Sequence, residues 1–82
     1  MNQVAYTVNN GESPSLAAVM AISEIDSVEP LDVSPLHYSI DPDAVDALVA
    51  SASTATLKFS HEDYRVKIEK NGDITVRVEP DS

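Results

Sequence analysis

The chain has 82 residues, 14 acidic against 5 basic, and a formal net charge of −9. That length makes one domain with a small core, burying about 60–65% of its unfolded surface. The charge argues against the broad basic footprint of a general nucleic-acid binder and against docking on anionic lipid, and the absence of cysteine excludes disulfides, thiolate metal sites and cysteine catalysis.

Within a single domain spanning 1–82, residues 1–12 read as an N-terminal strand and loop. Residues 13–53 read as a two-helix region and 54–80 as an antiparallel sheet. Val4, Tyr6 and Val8 alternate with Ala5 and Thr7, which fits either a fourth strand at one sheet edge or a loose terminus. Asn9 to Glu12 has turn composition. Ser13 is placed to cap a helix opened by Pro14, running to Asp26 or Ser27 and stopping before Pro30. Leu16, Val19, Ile22 and Ile25 form its predicted buried stripe. Ala17, Met20, Ala21 and Glu24 lie on the opposite side, which is poor in charge. That side reads either as packing against a second layer or, at Ala17, Met20 and Ala21, as an association face for a second copy or a partner.

Pro30 and Pro35 mark Ser27 to Ser39 as a connecting segment, with Leu31, Val33, Leu36 and Tyr38 expected to anchor it over the core. Asp41-Pro42 repeats the cap-and-open pattern, and Asp43 complements the positive end of the helix dipole. Val45, Leu48 and Val49 are the expected inner stripe. Ser51 to Thr54 is a small-residue link to the sheet.

From Leu57 onward the apolar residues Leu57, Phe59, Tyr64, Val66, Ile68, Ile74, Val76 and Val78 alternate with polar ones, the period of half-buried strands. A two-residue turn at Glu62-Asp63 pairs His61 with Tyr64, Phe59 with Val66 and Leu57 with Ile68. Asn71-Gly72 marks a second hairpin. A three-residue loop Lys70-Asn71-Gly72, with Gly72 left-handed, pairs Ile68 with Ile74, Val66 with Val76 and Tyr64 with Val78 and keeps one face apolar. The predicted fold is α+β: a three-stranded antiparallel meander, with a fourth N-terminal strand as an option, and two helices packed on one face.

All five basic residues fall between Lys58 and Arg77. The predicted register points Lys58, Arg65, Lys67 and Arg77 outward, with Lys58 opposite Lys67 and Arg65 opposite Arg77. Like charges directly opposed on a sheet are mildly destabilising. The four cations read either as a solvated face that discourages edge aggregation or as a binding face for an anion or an acidic partner.

Other candidate chemistry is weaker. His37 and His61 are the only histidines and lack zinc-ligand spacing. Asp41, Asp43 and Asp46 lack the turn glycine and distal glutamate of a calcium loop, and capping explains the first two. With Gly11 and Gly72 the only glycines, phosphate-binding and dinucleotide fingerprints are absent. No serine sits in a nucleophile-elbow context. The expectation is a protein that is not an enzyme and uses no cofactor or metal. The longest apolar run, Leu16 to Ile22, is too short to span a bilayer, no basic, apolar N-terminus resembles a signal peptide, and a cytoplasmic protein is expected. High negative charge with little lysine suits concentrated salt, which screens self-repulsion.

The segment Ser34 to Val49, SPLHYSIDPDAVDALV, resembles the Pro-Leu-x-x-x-Ile-Asp-Pro-Asp-Ala-Leu-Asp-Ala-Leu signature of the halobacterial output domain family. The helix opening at Ser13-Pro14-Ser15 and the closing Val76-Arg77-Val78-Glu79-Pro80 also fit it. Val45 stands where the family usually has leucine. Ala18 and Met20 stand where a larger apolar residue and a glutamate are expected. The resemblance implies a haloarchaeal cytoplasmic protein, standing alone or joined to receiver and sensor domains, with an output role in signal transduction. It brings no catalytic residue or ligand with it. Two function classes follow: a protein-interaction module at the end of a signalling route, or an anion or nucleic-acid binder using the same basic face. A homodimer is a third arrangement the charge-poor helix side would allow.

Overall fold

The structure, a computed structural model, describes residues 3–9 and 11–81. Four strands form one antiparallel sheet: β1 (Val4–Val8), β2 (Thr54–His61), β3 (Tyr64–Asn71) and β4 (Asp73–Pro80). Their order across the sheet is β1-β4-β3-β2, so β1 adds to the free side of a β2-β3-β4 meander. Between β1 and β2 the chain forms two helices, α1 (Pro14–Asp26) and α2 (Pro42–Ser51). Two short 3-10 turns, Pro30–Asp32 and Leu36–Tyr38, join them. The N-terminal alternation is therefore a strand, with Val4, Tyr6 and Val8 opposite Val78, Val76 and Ile74.

Alternation places Val66, Ile68, Val76 and Val78 on the inner face, each at most 1% exposed. Helix α1 lies over β4 and β1 and touches β3, while α2 packs on α1. Burying that apolar face is the main stabilising contribution. The β2-β3 register is the expected one, from His61 opposite Tyr64 to Leu57 opposite Ile68. The β3-β4 register is corrected by two residues. Ile68 faces Val76, Val66 faces Val78 and Lys70 faces Ile74, so the three-residue turn is Asn71-Gly72-Asp73 with Gly72 at φ +82°. A shift of two preserves side-chain parity, which is why the faces are as expected although the pairs are not. The observed register sets four fully buried residues side by side. It also lets Lys70, at the inner rim, donate to the Val49 carbonyl at 2.8 Å. That contact places a cation at the negative end of α2.

The sides of α1 are also corrected. Ala17, Ala18, Ala21 and Ile22 form its buried stripe, whereas Leu16 is 52% exposed. Alanines let the helix backbone approach the sheet closely, and larger side chains are displaced to the flanks. Ala17 and Ala21 are thus core residues rather than members of an association face, and only Met20 of that trio reaches solvent. In α2, Val45 and Val49 are buried but Leu48 is exposed. In the connecting segment Leu36 is buried and Val33 half-buried, while Leu31 and Tyr38 face solvent instead of anchoring the chain.

The caps follow the sequence logic. Ser13 Oγ accepts from the Leu16 amide, and Asp41 Oδ1 accepts from the amides of Asp43 and Ala44. Asp46 joins the helices: its carboxylate accepts from the Ser15 amide at 2.9 Å and from Ser15 Oγ at 2.7 Å. An anion from α2 thereby satisfies a free N–H in the first turn of α1. Ser27 closes α1 in the left-handed region at φ 57°, donating to the Glu24 carbonyl, with the Val28 amide donating to that of Ser23. Glycine occupies that position without steric cost. Ser27→Gly is expected to raise stability by about 0.5–1 kcal/mol, read as a higher urea midpoint; an unchanged or lower midpoint would contradict it.

Candidate interaction face

Among the described residues nothing forms a second layer on the outer sheet face. Its side chains come from Ala5 and Thr7 of β1, Thr75, Arg77 and Glu79 of β4, Arg65, Lys67 and Glu69 of β3, and Thr54, Thr56, Lys58 and Ser60 of β2. Lys58 lies opposite Lys67, as expected. Lys67 in turn lies opposite Arg77, so one row of three cations crosses β2, β3 and β4. Its Cα atoms span about 10 Å. The expected pair of Arg65 with Arg77 does not form; Arg65 faces Ser60 on one side and Glu79 on the other. All four predicted residues nevertheless share the face. They surround a depression of about 420 Å³ lined by Lys58, Ser60, Arg65, Lys67, Arg77 and Glu79, together with Phe59.

Carboxylates temper this patch. Arg65 pairs with Asp81 at 2.8 Å and Lys67 with Glu69 at 3.6 Å. Both pairs are solvent-exposed, and such pairs contribute about 0–1 kcal/mol. Among the described residues Lys58 and Arg77 make no ion pair, leaving the two ends of the row open. The face as a whole is close to neutral, because Glu69, Asp73, Glu79 and Asp81 match its four cations. The net charge of −9 therefore resides on the helix side and the loops, where ten carboxylates meet Lys70 alone. The molecule is electrically two-sided, and its neutral, cation-centred side is the uncovered one.

Sequence reasoning gave no role to His61, which is a buried structural residue at 2% exposure. Its Nε2 donates to the Ser34 carbonyl at 2.9 Å, and Nδ1 is hydrogen-bonded to Ser39 Oγ at 2.8 Å. Both ring nitrogens are occupied in holding the connecting segment against the sheet. Ser34 Oγ also donates to the Glu62 carboxylate in the β2-β3 turn. His37 lies on the surface beside Tyr38. Among the described residues no group of three histidine, cysteine or acidic side chains is placed to hold a metal ion.

Two tyrosines report on the loops. Tyr6 donates to Glu12 at 2.9 Å and Tyr64 to Asp26 at 2.6 Å. In each case the hydrogen bond to a carboxylate raises the phenol pKa above its ordinary value, with desolvation adding to it. A raised folded pKa means that the contribution of the bond is present below the free phenol's pKa and is lost as pH rises through the folded value. With Tyr6 and Tyr38 changed to phenylalanine, ultraviolet titration of Tyr64 should show a midpoint above the ordinary phenol. Asp26→Asn should move it back down. A midpoint indifferent to Asp26 would contradict the assignment.

The fold and this face define a small α+β domain with an open four-stranded sheet and a helical layer on one side only. The chain belongs to the halobacterial output domain family: the family model described as Halobacterial output domain 1 matches residues 10–78. The match begins at residue 10, ahead of α1, and runs to near the end of β4, while β1, which completes the sheet, precedes it. The family implies an output role in signalling. No curated protein and no solved structure matches the chain. No helix among the described residues is long and apolar enough to cross a membrane.

Proposed function

We propose that this output domain works without catalysis or cofactor, as a protein-interaction module of a salt-adapted archaeal cytoplasm. Its outer sheet face docks on carboxylates of a partner protein. The observation that supports this reading most is the Lys58–Lys67–Arg77 row on the uncovered side of an otherwise acidic body. Opposed like charges cost folding energy, and a partner's carboxylates relieve that cost. Arg65 and Arg77 add the planar fork that grips a carboxylate through two parallel bonds. An acidic protein approaching from this side avoids the carboxylates of the helical layer. A free anion or a nucleic acid would use the same cations, but molar salt weakens phosphate-backbone binding through counterion effects, and the near-neutral face offers little long-range attraction to a polyanion.

The test is the double reversal Arg65→Glu and Arg77→Glu. The fold should persist, because both residues are exposed. Partner proteins recovered from a high-salt lysate by the wild type should be lost. If the double variant keeps all of them, the face is only solvated. DNA affinity that falls steeply with salt would favour the nucleic-acid reading instead.

A further inference from the structure

Strand β2 is an edge of the sheet: β3 covers one side, and no strand among the described residues covers the other. In a hairpin closed by the two-residue turn Glu62-Asp63, His61 and Tyr64 form a hydrogen-bonded pair, and bonding alternates from there. His61, Phe59, Leu57 and Ala55 therefore bond to β3. Ser60, Lys58, Thr56 and Thr54 direct their amides and carbonyls away from the sheet. Among the described residues no main-chain hydrogen bond from a turn, loop or cap reaches those groups. The two margins of this edge differ in chemistry. On the outer side stands Lys58, the end of the cation row, without an ion-pair partner among the described residues. On the inner side Leu57 and Phe59 pack against the core but are only half-buried, and α1 lies over β4 and β1, toward the opposite edge.

We propose that the free edge of β2 accepts an extended acidic segment of a partner protein as a fifth strand. This rests on the reading of the chain as an interaction module, and it names the mode of binding. Main-chain bonds to Thr56, Lys58 and Ser60 hold the segment, and its side chains alternate between two faces. Those on the outer side meet Lys58 and extend over the cation row, which selects aspartate or glutamate. Those on the inner side cover Leu57 and Phe59, which selects apolar residues. The preferred sequence is thus an alternation of acidic and apolar residues. A second copy is a poor occupant. Strand β2, TATLKFSH, contains no carboxylate, so pairing two β2 edges brings Lys58 toward another Lys58 with nothing to neutralise either. A lysine on an edge strand is the usual device against such self-pairing.

The probe is a capped peptide of alternating glutamate and valine, as long as β2, added to the whole chain in molar potassium chloride and followed by amide NMR. The amides of Thr56, Lys58 and Ser60 should shift and exchange more slowly. Lys58→Glu should weaken binding by at least about tenfold. Thr56→Pro removes an outward amide without touching the β3 ladder and should abolish binding. Should that variant fold poorly, N-methylation of the peptide on the side facing β2 removes the same bonds and should abolish binding by the wild type. A lysine–valine peptide, or one with its glutamates and valines blocked apart, should not bind.

Binding that perturbs only Lys67, Thr75 and Arg77 and survives both Thr56→Pro and N-methylation would overturn strand addition while leaving the docking face in place. Absence of any perturbation at saturating peptide would overturn the inference as well. So would sedimentation showing that the chain dimerises and that Thr56→Pro makes it monomeric. The Arg65→Glu and Arg77→Glu reversal, by contrast, decides the reading of the face, because neither residue lies on the edge.

Discussion

Ile68→Ala is expected to destabilise the domain by about 2–5 kcal/mol, the range for deleting a large buried aliphatic side chain and leaving a cavity. Ile68 is 1% exposed, among the largest fully buried side chains, and stands in the central strand between Leu57 and Val76. Truncation there removes contacts toward both neighbouring strands and toward the helical layer, and a close-packed interior relaxes only partly to fill the gap. A domain of this size has about 4–12 kcal/mol of stability in all, so the change should take away a large share of it. Urea denaturation in molar salt reads the effect directly. A loss below about 1 kcal/mol would mean that Ile68 does not occupy the centre of the core.

The second large effect is expected at His61. His61→Ala should cost about 2–4 kcal/mol, combining a cavity with the loss of two hydrogen bonds. It should also loosen a particular segment. The imidazole joins the end of β2 to Ser34 and Ser39, which flank the Leu36–Tyr38 turn. Without the ring, the stretch between Pro30 and Pro42 loses its polar tie to the end of β2 and keeps the burial of Leu36, the partial burial of Val33 and Ile40, and the Ser34–Glu62 contact. Limited proteolysis of the variant should therefore cut within that stretch before global unfolding. A variant with wild-type melting temperature and no new cleavage would show that the segment is held by other contacts.

The sheet was legible in the sequence because its signal is local. Period-two alternation places Val66, Ile68, Val76 and Val78 on one face whatever the register, and the Glu62-Asp63 turn is short enough to fix one hairpin outright. The Asn71-Gly72 turn was less determinate. Several loops keep the parity, and the choice among them rests on contacts remote in sequence, such as Lys70 with the Val49 carbonyl. That two-residue shift is what joins Lys67 to Arg77 and turns two opposed pairs into one continuous row.

Helix α1 misled for a related reason. Hydrophobicity favours Leu16 over Ala17 as the inward residue, but the distance between helix and sheet is a tertiary property, and close approach selects the alanines. His61 carried no signal as a buried residue, because its partners, Ser34 and Ser39, are polar residues in a proline-marked link. The cations of the outer face were visible as a cluster. Of their counter-charges, Glu69, Asp73 and Glu79 share the outward parity of the strands, whereas Asp81 reaches Arg65 only after the chain leaves β4.

The proposed contact between the uncovered, cation-centred face and carboxylates of a partner protein is open to a direct chemical test. Zero-length carbodiimide coupling tests it most directly, because that reagent joins an amine only to a carboxylate already in contact with it. Coupling in a high-salt lysate, followed by peptide mass spectrometry, should join Lys58 and Lys67 to aspartate or glutamate of another protein. Lys70, occupied by the Val49 carbonyl, should stay unmodified and serve as an internal control. Adducts running only the other way, from this chain's helix-side carboxylates such as Glu24 or Asp43 to lysines of other proteins, would contradict the claim. They would place the partner on the helical layer.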